Sequence, residues 1–176
     1  MERDGTSIAI GKLADAAYRK AFERERRYGC GPQCVLAAVQ ETVGIVEDGL
    51  VKASHGWSGG GACGALTGGL LALGTRYGRD RDKLDHGRGI NDFQKGRALV
   101  DRFRAEFSGV TCEDLQRRFA GRTYDLWDRA QYKAFSEVRG SSCARAAGLV
   151  AQWVVEVLAG ADTTAIAEEK AVYDNR

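Results

Sequence analysis

Five cysteines, Cys30, Cys34, Cys63, Cys112 and Cys143, are the residues of this chain best suited to redox or metal chemistry. Pro32 suits the first position of a helix, which puts Cys34 at the third. Gly59, Gly60 and Gly61 lead into Ala62, so Cys63 falls in the first turn of the helix that follows. Thr111 opens "TCED", a capping-box-like pattern that makes Cys112 a first helical residue. Ser142 in "SSCARAAGLV" is an N-cap candidate with Cys143 directly after it. A helix start offers unpaired N–H groups and a partial positive charge. A thiolate there is favoured, and the thiolate is the form that attacks disulfides and ligates metals.

Any one of these cysteines would read as a small buried hydrophobe; four at helix starts point to a shared centre. Structural zinc takes cysteines in close pairs, whereas Cys34, Cys63, Cys112 and Cys143 are separated by 29, 49 and 31 positions. An iron–sulfur cluster tolerates ligands from distant segments, and those four cysteines are the expected metal ligands. The rival is a thiol–disulfide couple needing no cofactor, in which Cys63 attacks and Cys34 or Cys30 resolves. A pocket for a small ligand, without electron transfer, is a third reading. Gly60, Gly61, Gly64 and Gly68 would clear the backbone for a cofactor, or serve only tight helix packing. His55 stands before the glycine loop as a near-site hydrogen-bond donor or ligand, and Trp57 could shield the site. His86 reads as solvent-facing.

Helical periodicity dominates the elements that must position these thiols. One proline occurs in 176 residues, and no run alternates as a strand. Helices are expected at about 7–28, 32–44, 62–77, 90–107, a short one after Thr111, 127–138 and 142–158. The fold class is all-α, a single-domain bundle of about six to eight helices. Residues 1–28 form an N-terminal helix outside the cysteine region, 29–160 the four-cysteine domain and 161–176 a tail, all in one globular unit. A net charge of +2 predicts no particular partner. "RERR" (24–27) and "RYGRDRDK" (76–83) interleave acids with arginine and read as solvated faces, not nucleic-acid patches. The two most apolar stretches read as core helices rather than membrane spans. A cytoplasmic setting is expected, where structural disulfides are rare.

"CGALTG" (63–68) resembles the CGAxxG motif of a redox-active family labelled C_GCAxxG_C_C. That family is similar to this chain in carrying four spaced cysteines. Here they would be Cys34 in "QCVLAAVQE", Cys63, Cys112 in "GVTCEDL" and Cys143. The resemblance spans about residues 28–158 and implies a redox-active protein with an unknown electron partner; an oligomer is possible. Cys30 is an extra thiol outside the family's four.

Overall fold

The computed structural model describes residues 5–59, 61–85 and 93–173. Among the described residues there are eight α-helices and no strands. They are α1 (Gly5–Tyr28), α2 (Gly31–Val43), α3 (Asp48–Ala53), α4 (Gly64–Tyr77), α5 (Gln94–Phe107), α6 (Cys112–Ala120), α7 (Arg129–Arg139) and α8 (Ser142–Tyr173). Short 3-10 turns occupy Ser54–Gly59 and Arg81–Lys83. The all-α expectation holds.

The core forms around α8. Ala14, Ala17 and Ala21 of α1 recur at helical spacing and are buried, so small side chains let α1 lie close along α8. Gly148 of α8 accommodates the Tyr18 ring, which a Cβ would meet at 2.8 Å. Val150, Val154 and Val155 of α8 share one apolar cluster with Val35, Leu36 and Val39 of α2, Leu66 and Leu73 of α4, and Phe103 and Phe107 of α5. By length and composition the stretch Ser142–Gly160 could cross a membrane; in the fold much of it is core.

Helix α4 packs unusually close on the start of α2. A Cβ on Gly68 would sit 2.7 Å from the Pro32 carbonyl oxygen, and one on Gly64 would sit 2.6 Å from Pro32 Cδ. From the other side, a Cβ on Gly31 would meet the Ala65 nitrogen at 2.7 Å. These glycines let two helix starts, each carrying cysteine, lie backbone to backbone.

Several elements differ from the sequence expectation. Cys63 is the N-cap of α4, which starts at Gly64, two residues later than expected. Ser142 is the first residue of α8 rather than its cap, and the carbonyl of Ser141 accepts the first bond, from Arg145 N. Helix α3 and the turn after it were not anticipated. The expected start of the fourth helix near residue 90 lies outside the described residues, as do Gly60 and His86. Helix α8 continues through Tyr173 without a break. In "RERR" Arg26 and Arg27 are exposed, but Glu25 turns inward and is only 7% exposed.

Candidate functional site

Two backbone segments meet at the head of the site. Ala62 and Thr111 form an isolated antiparallel bridge; Cys63 N donates to the Val110 carbonyl and Cys112 N to the Gly61 carbonyl, both at 2.8 Å. That pairing locks the starts of α4 and α6 together, although they are far apart in the chain. The start of α6 is fixed further by the expected capping box. Asp114 N donates to Thr111 Oγ1, and Thr111 N and Val110 N donate to Asp114 Oδ2. Those backbone donors hold the Asp114 carboxyl below the usual carboxylate range.

A cavity of about 960 Å³ opens beside this junction. Its wall includes Cys30, Cys63, Cys112 and Cys143, together with Glu25, His55 and Arg139. Cys63, Cys112 and Cys143 stand close enough for Cys63 to feel charge on either of the others. Burial pushes the Cys63 thiol up to about 12, against backbone N–H groups of Leu66 and Ala65 that favour the thiolate. The helix start therefore acts as expected but is outweighed by burial. Burial also raises Cys143, opposed by the Arg139 guanidinium. Gln116, buried in α6, sits between chain segments. Its Nε2 lies 3.5 Å from Cys112 Sγ, and its Oε1 accepts from Tyr124 N at 2.5 Å.

A buried charged pair supports the same wall. Arg139 Nη1 lies 3.9 Å from Glu25 Oε1, while Glu25 Oε2 is buried without a hydrogen-bond partner. Burial raises the Glu25 pKa, and Arg139 offsets part of that rise. Burial works against the Arg139 charge, but Cys143 and Glu25 more than compensate and raise its pKa.

Cys34 is placed differently from the other three expected ligands. It is 4% exposed, behind the cavity wall, and its Sγ donates to the Gly29 carbonyl at 3.0 Å. Burial, and then the neighbouring Glu25 charge, raise its pKa strongly. The extra thiol, Cys30, takes the wall position at the start of α2. It is the N-cap of that helix, with φ 66° and ψ 65°. This left-handed conformation costs a non-glycine residue about 1–2 kcal/mol.

All five cysteines thus lie at helix starts: Cys30 and Cys63 as N-caps, Cys112 first, Cys143 second and Cys34 fourth in their helices. Gly61 and Gly64 line the cavity with His55 and Trp57, whereas Gly68 faces Pro32. Among the described residues, no three His, Cys, Asp or Glu side chains stand close enough to hold a single metal ion. Sequence reasoning missed Glu25, Gln33, Gln116 and Arg139. The one available signal was the lone acid inside the basic run "RERR".

No curated protein and no solved structure matches the chain. A family model described as "Putative redox-active protein (C_GCAxxG_C_C)" matches residues 28–157. That span holds every cysteine, the CGAxxG segment and the helix starts around the cavity. The chain belongs to this redox-active C_GCAxxG_C_C family.

Proposed function

We propose that this redox-active protein holds an iron–sulfur cluster at the cavity, with Cys63, Cys112 and Cys143 as its ligands; Cys34, expected as the fourth, lies behind the wall and bonds the Gly29 carbonyl instead. The observation that carries the reading is the convergence of Cys63, Cys112 and Cys143, from three separate helix starts, on one wall. The donor chemistry fits. Thiols are the sulfur donors that such clusters take, and a thiolate-bound cluster is negatively charged. Two N–H groups directed at the Cys63 sulfur and the Arg139 cation beside Cys143 suit that charge. A cluster would supply a centre that accepts and returns single electrons.

The chain's own residues set the conditions for loading. Cys63 and Cys143 favour their protonated forms, so binding must release protons. The same protonation speaks against Cys63 as the attacking thiol of a disulfide couple, because little thiolate is present at neutral pH. Anaerobic reconstitution with ferrous iron and sulfide tests the proposal. The expected product is coloured, with iron and sulfide in equal amounts. Cys112→Ser and Cys143→Ser should each lose most of that iron. Colourless protein without bound sulfide would refute the assignment.

A further inference from the structure

Cys30 is not used by the proposed cluster, and its surroundings are unlike those of the other thiols. Its Sγ lies 3.4 Å from His55 Nδ1 and donates to Gln33 Oε1 at 3.1 Å. Gln33 Oε1 also lies 3.2 Å from His55 Nδ1. Gln33 Nε2 donates to the Val51 carbonyl at 3.2 Å, which fixes the amide with its oxygen toward the thiol and the imidazole. A proton on either partner therefore has an acceptor in place. The thiol sits at the N-cap of a thirteen-residue helix, in a left-handed conformation between Gly29 and Gly31. Backbone strain of this kind concentrates at working sites. Cys30 and His55 both line the cavity, and His55 is exposed to solvent.

A second feature of the cavity points to what would enter it. Glu25 and Arg139 form a buried ion pair on the same wall. Arg139 is the more exposed member of that pair and presents its guanidinium to the cavity, where it can extend the pairing to a ligand carboxylate. Exposed Trp57, Trp127 and Tyr132 add broad apolar faces. A small disulfide of peptide character, carrying carboxylate groups near its sulfurs, suits that cation in a cavity of this size.

We propose that Cys30, with His55 as its proton acceptor and Gln33 as the residue that orients both, is a thiol-exchange site for small peptide-like disulfides. His55 Nδ1 takes the thiol proton as Cys30 Sγ attacks one sulfur of R–S–S–R. The new Cys30–S–S–R bond forms as the old S–S bond breaks, and the leaving RS⁻ takes the proton from His55. One thiol and one disulfide are consumed, and one thiol and one mixed disulfide are produced. No further oxidant is needed.

The test treats the reduced full-length protein with oxidised glutathione and maps adducts by peptide mass spectrometry. Parallel samples receive bis(2-hydroxyethyl) disulfide, which lacks charges and amides. The expected result is one glutathione per chain on Cys30, formed faster than the hydroxyethyl adduct. Cys30→Ser should abolish it. His55→Gln should slow it by about tenfold or more, because positioned proton transfer typically contributes at least that much. His55→Gln should keep the wild-type thermal melt, since His55 lies on the surface. A first adduct on Cys63, Cys112 or Cys143, or an unchanged rate in His55→Gln, would overturn the site. Equal rates with the two disulfides would overturn the substrate class. Loss of exchange in Cys30→Ser should leave reconstituted iron content unchanged, so failure of this proposal and failure of the cluster assignment are separable.

Discussion

Raising the pH should destabilise this protein through its thiols. Burial holds Cys34 and Cys63 in the protonated form well above their ordinary value of 9.0. In the unfolded chain both lose their protons near that value, so above it the folded state binds more protons than the unfolded state. Stability is then fully present below pH 9 and is lost as pH rises toward the folded value, which is about 12 for Cys63. Each thiol contributes a slope of about 1.4 kcal/mol per pH unit once above its unfolded pKa. Between about pH 8 and about pH 10, Cys34 and Cys63 together should remove about 3 kcal/mol. Cys143, also raised, adds to the loss. Urea denaturation under reductant, at several pH values across that interval, measures it. Lysine and tyrosine also titrate there, so the comparison is with the Cys34→Ala, Cys63→Ala double variant, which shares those groups. The variant will be less stable at neutral pH, but its stability should fall with a shallower slope. Parallel slopes in the two proteins would refute the claim that these thiols are held protonated.

Gly68→Ala should destabilise the fold by about 1–2 kcal/mol, because overpacking against Pro32 outweighs a helix-propensity gain near 1 kcal/mol. Gly11→Ala in α1 meets open space and should stabilise by about 0.5–1 kcal/mol; urea midpoints of the pair check both. Arg139→Met removes the cation beside Glu25 and should cost about 3 kcal/mol at neutral pH. That loss should shrink in acid, where Glu25, whose pKa is already raised, becomes neutral; denaturation at two pH values reads it. Thr111→Ala breaks the capping box at the start of α6 and should cost about 1 kcal/mol by the same assay.

The sequence made the thiol placement legible because helix starts carry local signals. Pro32 ahead of Cys34, Thr111 with Asp114, and serines before Cys143 mark those boundaries without reference to the rest of the fold. The role of the CGAxxG glycines was open, since close packing and ligand clearance demand the same small residue. Only the approach of Pro32 to Gly64 and Gly68 reveals packing there. Glu25 and Arg139 could not be paired from sequence, being more than a hundred positions apart, and a basic run hides the inward turn of Glu25. The exchange of places between Cys30 and Cys34 was equally hidden. It follows from a left-handed N-cap at a cysteine, which propensity does not foresee. Helix α3 has six residues and no buried side chain, too short for a periodic signal.

X-ray absorption at the iron edge of anaerobically reconstituted protein addresses the sulfur centre most directly. The account predicts a first shell made of sulfur alone, with an iron–iron distance beyond it, both lost in Cys63→Ser and retained in Cys30→Ser. A shell of oxygen or nitrogen, or a spectrum indifferent to Cys63, Cys112 and Cys143, would contradict it.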